Sequence, residues 1–227
     1  MIAPFRNRHG FNRNVGRCFT LLGVPALAIF LAFATSAKSP PWIARDWTQW
    51  THEDCIQILT DSPWAVTFGV RHPEANGQVT YANATAQISS SLVIRQAWIR
   101  QWVLPQELLS SFDPQQKRER EQQAAACLNR SFDDRIVVTV LIDPAYTDDF
   151  KMGPEMEVSH RKYHALLTSQ NDFRNPCNGG YAYPRVVNGK SIFGPGDKKF
   201  SIKTPSTWTR DFEFNIQKLI YKGKPDF

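Results

Sequence analysis

Between Trp50 and Ala65 the chain reads W-T-H-E-D-C-I-Q-I-L-T-D-S-P-W-A. Its apolar residues Cys55, Ile58 and Leu59 fall at i, i+3 and i+4, the spacing that gathers them on one face of a helix. Thr51 and Asp54 have the spacing of a capping box, in which two side chains satisfy the free N–H groups of a helix start. Trp50 and Cys55 then occupy the two positions that a hydrophobic staple brings together. Ser62-Pro63 ends the helix, because the residue before proline is pushed out of helical conformation. His52, Glu53, Asp54 and Cys55 crowd its first turn, yet the two acids favour the positive end of the helix dipole. The cluster therefore reads as a folding device.

Further along, Ala65–Arg71 and Gln78–Ser89 have strand character around a polar turn, H-P-E-A-N-G. The run S-S-L-V-I-R-Q-A-W-I-R-Q-W-V-L is read as a strand entering a helix, since Ile94, Trp98 and Trp102 also fit a helical i, i+4, i+8 row. Asp113-Pro114 is a helix start, with an acid at the cap and proline at the first helical position, and the helix is expected over 114–128. Arg135 to Asp143 encloses a continuous apolar run, I-V-V-T-V-L-I, which predicts a central strand covered on both faces. After Tyr181 the pattern is β. Asn188-Gly189 between strand formers is a hairpin signal, F-G-P-G-D-K marks a second turn, Lys199–Lys203 a short strand and Asp211–Tyr221 a long closing strand. The expected fold class is α+β: an antiparallel sheet ending in a C-terminal meander, with a short N-terminal helix and a longer one over 114–128.

The front of the chain carries a different signal. Residues 1–37 begin with four arginines and no acid, then an uncharged stretch from Cys18 to Ala37 whose apolar heart is Leu21–Phe33. That is the layout of a secretory signal peptide, with Ala37 preferred over Ala34 as the last residue before cleavage. The rival reading is an uncleaved anchor in the inner membrane, since about 20 apolar residues cross a bilayer; Gly23, Pro25 and the small residues at the end favour cleavage. A mitochondrial leader ranks third, because it would be amphipathic. Cys18 precedes the apolar run, where a lipoprotein signal would place its cysteine after it. Residues 38–49, with adjacent prolines and two tryptophans, read as a linker, and 50–227 as a single globular domain.

The leader also changes the meaning of the charge. Removing its four arginines from a net charge of +6 leaves +2 for residues 38–227. No basic cluster interleaved with aromatics remains, so nucleic acid is not an expected partner. K-R-E-R-E (Lys117–Glu121) mixes signs and reads as a solvated helix face. Three cysteines follow the leader, Cys55, Cys127 and Cys177, and export makes one disulfide among them plausible, with three choices of pair.

No catalytic set or cofactor fingerprint converges. The metal candidates are His160 and His164 in H-R-K-Y-H, which would share a helix face at i, i+4, or lie on a strand; Arg161 stands where a gluzincin has its general base. Cys177 in N-P-C-N-G-G lacks the cationic setting of a reactive thiol. Ser89–Ser91 lacks the glycines of a nucleophile elbow. The acid pairs Asp133-Asp134 and Asp148-Asp149 flank the central strand without the spacing of a calcium loop. Trp42, Trp47, Trp50 and Trp64 crowd the front of the domain, where exposed rings would suit a sugar and buried ones a core.

The motif W-T-x-E-D-C-x-x-I-L-T-x-S-P-W-A, with the closing L-I-Y-K-G-K of Leu219–Lys224, resembles a group of uncharacterised exported proteins of soil bacteria, Acidobacteria-like. The resemblance implies export and a small domain, and no established activity; Cys177 is a departure from the group. The expected function is that of a secreted or periplasmic, non-catalytic domain that binds an envelope glycan or protein and leaves the membrane after cleavage. The alternatives are an envelope hydrolase or metal-dependent enzyme using His160 and His164, and an inner-membrane-anchored assembly partner.

Overall fold

The computed structural model describes residues 39–73, 78–142, 153–166, 177, 179–204 and 210–227. Residues 1–37, the pair Asp148-Asp149, residues 74–77 of the first polar turn and most of the loop around Cys177 lie outside the described residues.

The region read as a linker packs onto the domain. Pro41–Ala44 forms a one-turn helix, α1, and Trp47–Gln49 a 3-10 turn whose start is capped by the Asp46 side chain. Pro41 is buried, the Trp50 indole donates to its carbonyl at 3.2 Å, and Trp42 meets Trp64 edge-on at 5.6 Å. Helix α2 (His52–Thr60) has the expected capping box: Thr51 N–H donates to Asp54 at 2.9 Å, and Asp54 N–H to the Thr51 hydroxyl at 3.2 Å. Its buried residues are Cys55, Ile58 and Leu59.

Two four-stranded antiparallel sheets follow. The first is ordered β1 (Ala65–Pro73), β2 (Val79–Ile88), β3 (Arg135–Ile142) and β6 (Tyr181–Pro184); the second is ordered β10 (Phe212–Asn215), β9 (Lys199–Lys203), β4 (Glu155–Val158) and β5 (Arg161–His164). The expected antiparallel α+β class holds. The C-terminal strands do not form one meander, however, because β6 joins β3 while β9 pairs with β4. Val186–Val187 and Lys190–Ser191 make a separate ribbon, β7–β8, across the left-handed Asn188-Gly189 turn. The closing strand is also interrupted: Asn215 caps a 3-10 turn at Ile216–Lys218, and Ile220–Tyr221 pairs with Lys224–Pro225 as β11–β12.

Register explains the layers. Val66, Phe68 and Val70 lie opposite Ala86, Ala84 and Ala82, which continue to Ile88, Val138 and Ile136 on one apolar face. That face shares a core with Met156, Val158, Phe200, Ile202, Phe212 and Phe214 of the second sheet, and Phe68 stacks on Phe212 at 4.5 Å. The reverse face of the first sheet carries Thr67, Thr85, Gln87 and Thr139, and here the helices pack. A helix leaves its last carbonyls without internal partners, and this face supplies them: Thr67 donates to Thr60 O at 2.7 Å and Gln87 to Leu59 O at 2.7 Å. The outer face of the second sheet is an ion-pair ladder that includes Lys162–Glu155 at 3.0 Å and Lys203–Asp211 at 2.9 Å.

Residues Ser89–Ser91 are a buried turn rather than the end of a strand, and Leu92–Trp98 forms α3, which runs on as a π-helical turn over Ile99–Val103. Its start is capped from the far end of the chain. Asp226 accepts from Leu92 N–H at 2.8 Å, Val93 N–H at 3.2 Å and the Ser91 hydroxyl at 2.6 Å. Helix α4 (Pro114–Leu128) matches the expected 114–128 and buries only Ala124 and Cys127. Cys127 is joined to Cys177, with Cα atoms 5.3 Å apart, and Cys55 is left as a buried free thiol. Gly180 brings the Cys177 loop against β3: its φ is +142°, and a Cβ there would stand 2.6 Å from a Val137 methyl. Among the described residues no helix is long and apolar enough to cross a membrane.

Candidate functional site

The π-helical turn is where the surface departs from ordinary folding needs. Ile99 and Val103 point inward to a small second core with Ala124, Cys127 and Cys177. Leu104 N–H reaches back five residues to Ile99 O at 2.8 Å, and such widened turns recur at functional sites. The turn breaks the row read from the sequence. Ile94 is fully buried, whereas Trp102 is 62% exposed. On the neighbouring residues, Arg100 donates to Trp50 O at 3.1 Å, and Gln101 meets the His52 ring nitrogen at 2.8 Å. Among the described residues the buried Gln101 side-chain oxygen finds no hydrogen-bond partner.

Helix α4 forms the other side. Asp113 accepts from Gln115 and Gln116 N–H, both at 2.8 Å, and Gln116 returns the bond to Asp113 N–H at 3.2 Å. Further along α4, Arg120 lies between two partners. Its guanidinium stacks 4.2 Å from the Phe112 ring centroid and donates to Val103 O at 3.2 Å and Trp102 O at 3.4 Å. Beside it lies a cleft of about 310 Å³ lined by Phe112, Gln116, Glu119, Arg120 and Gln123. The backbone of the exposed Trp102 is thus tied, through Arg120, to a recess of amide, carboxylate and aromatic groups, the makings of a recognition surface.

The residues singled out from the sequence lie elsewhere. His160 and His164 are not on a helix. His160 sits with positive φ in the turn between β4 and β5, and His164 ends β5 opposite Glu155. Each is exposed and lies near an acid, His160 at 3.8 Å from Glu157 and His164 at 3.4 Å from Glu155. Among the described residues no group of three His, Cys, Asp or Glu side chains could hold a metal ion. Cys55 is buried, and burial pushes its thiol up to about 12, so it stays protonated. Ser89 bonds Thr139, Ser90 accepts from Val137 N–H, and Ser91 donates to Asp226; all three hydroxyls serve the fold. Asp133 accepts from Ser131, and Asp134 is paired with Arg135, whose hydrogen bond holds its carboxyl below the usual range. Trp50 and Trp64 are core residues.

Trp102 fitted the sequence pattern as one more apolar position, and nothing in the residue order announces a π turn. The Phe112–Arg120 stack spans two turns of chain and leaves no short motif. No family model matches the chain, and no curated protein or solved structure matches it.

Proposed function

We propose that the chain is an exported, non-catalytic binding domain of the cell envelope or its surroundings, and that it meets its ligand on the shelf formed by Trp102 and the α4 cleft. The observation that carries this reading is Trp102: a large aromatic ring, 62% exposed, whose backbone is fixed by Arg120 at the lip of a polar recess. Aromatic anchors beside a few placed polar groups dominate recognition energetics. Export is supported by the leader-like front of the sequence and by the Cys127–Cys177 disulfide, which suits an oxidising compartment.

The test uses the protein exported with its own leader. Intact mass should begin at Lys38, and the protein should leave the membrane in carbonate. Retention on washed cell envelopes should fall in Trp102→Ala and survive in His160→Ala. Equal retention of wild type and Trp102→Ala would refute the shelf.

A further inference from the structure

The segment that caps the start of α3 is anchored by two residues, Asp226 and Phe227. We infer that residues 222–227 are an exchangeable strap, which opens at Lys222-Gly223 and seats on a second copy of this chain, joining two copies in a symmetric pair. This goes beyond the binding reading and needs no ligand on the shelf.

The two sides of the hinge are held unequally. Before it, Leu219 and Tyr221 are buried, and the Tyr221 hydroxyl donates to the Gln96 side chain at 2.9 Å. After it, Lys224 and Pro225 are exposed, and Asp226 and Phe227 are half-buried. Both hinge residues take positive φ, +49° at Lys222 and +77° at Gly223. That conformation is unfavourable for a residue with a Cβ, so straightening the hinge relieves Lys222. Within its own ribbon the strap gives up the short β11–β12 ladder and the Asp226 N–H bond to Leu219 O at 2.9 Å, and a lone ribbon of this size is marginal in water. Segments that bury so little apolar surface open locally while the core stays folded.

The seat fits what it holds. The Asp226 carboxylate accepts from the Ser91 hydroxyl and from Leu92 and Val93 N–H, and its carbonyl accepts from the Trp64 indole at 2.6 Å. Phe227 meets Phe193 edge-on at 5.3 Å, with the Arg185 guanidinium 5.4 Å from its ring centroid. An acidic residue followed by an aromatic one satisfies these groups, and the strap of a second copy carries the same pair. Every seat contact is kept in an exchanged dimer, which makes exchange a low-cost route to association. Six extended residues reach up to ~20 Å, far enough to cross to a neighbour. The short tether gives the chain's own strap an effective concentration on the order of 1 mM, so the closed monomer dominates in dilute solution.

Size-exclusion chromatography with light scattering on the purified protein tests the exchange. Wild type should be monomeric at micromolar concentration and give a dimer when refolded from urea at about 1 mM. Deleting Lys222 and Gly223 removes the turn that returns the strap to its own seat, so dimer should predominate at a concentration at least about a hundredfold lower. Adding Asp226→Ala to the deletion should restore the monomer with the β3 amide signals unmoved. In wild-type dimer refolded from a mixture of nitrogen-15 and carbon-13 chains, the Trp64 indole N–H of one copy should show a contact to the Asp226–Phe227 pair of the other. A folded deletion variant that stays monomeric, or a dimer indifferent to Asp226→Ala, would overturn the exchange. If the deletion variant does not fold, the mixed-label wild type decides, and a monomer after concentrated refolding or a dimer without the cross-copy contact refutes the proposal.

Discussion

Replacing Arg95 with methionine should destabilise the domain by about 3–5 kcal/mol, because of what this side chain does at the end of α4. Arg95 is 7% exposed, and its NH1 donates to Cys127 O at 2.7 Å, Leu128 O at 2.9 Å and Arg130 O at 3.2 Å. Longer bonds reach Ser91 O and Ser90 O at 3.4 Å. Its guanidinium also lies 5.0 Å from the Phe132 ring centroid. Burial lowers its pKa and the Asp226 charge opposes that shift, while guanidinium remains charged in any protein setting. The cation sits at the negative end of the α4 dipole and supplies donors that the last turn of a helix lacks.

Charged hydrogen bonds contribute about 1.5–3 kcal/mol each, and the two shortest set the magnitude; methionine keeps the volume but leaves those carbonyls buried and unpaired. That is a large part of a typical stability of about 5–15 kcal/mol. Urea unfolding should show the midpoint falling with an unchanged slope. Arg95→Lys should retain part of the loss, since lysine has no counterpart of the Nε and second terminal nitrogen that reach Ser91 O and Ser90 O. The half-buried Arg120→Met should cost less than about 1 kcal/mol. A loss below about 1 kcal/mol for Arg95→Met would mean that the end of α4 finds other donors, and the capping argument would fall.

Thr51→Ala removes one half of the α2 capping box and should cost about 1 kcal/mol in thermal or urea unfolding; an unchanged midpoint would argue against the cap. Opening the Cys127–Cys177 link by the double serine variant releases a loop of sequence separation 50, worth about 4 kcal/mol in the chain-entropy account. A thiol assay on the exported protein should find Cys55 alone, and only after unfolding. Alkaline stability should decline in two stages. Cys55 is raised from 9.0 to about 12 and Tyr221 from 10.0 to about 12, chiefly by burial. The folded state then holds protons that the unfolded state has lost, so stability is full below pH 9 and falls above it, by at most about 1.4 kcal/mol per pH unit for each group. Unfolding midpoints measured from pH 8 to 11 should show the decline, and Cys55→Ala should remove its part between pH 9 and 10.

The helix starts were legible in the residue order because their caps are local. Thr51 with Asp54 and Asp113 with Gln116 act within three residues, and short-range bonds of this kind need only sequence spacing. The same holds for the Asn188-Gly189 turn, where both residues take positive φ, and for the apolar run of β3, paired on both sides. The other helix ends were invisible. Gln87 serves the end of α2, Arg95 the end of α4 and Asp226 the start of α3, from partners 28, 32 and 134 residues away. No periodicity records which distant polar group will meet an unpaired carbonyl or N–H, because the demand arises only once the layers are stacked. The closing strand is broken by a turn after Asn215, and the chain beyond it brings Asp226 to α3.

Function divides along the same line. The leader-like pattern of residues 1–37, the charge balance and the three cysteines that follow are properties of composition and order, so they are read from the sequence alone. The choice of Cys127 and Cys177, the burial of Trp50 and Trp64 and the exposure of Trp102 were decided by packing. Tryptophan is as apolar in one place as in another; whether its ring serves a core or faces a ligand depends on what the tertiary structure sets beside it.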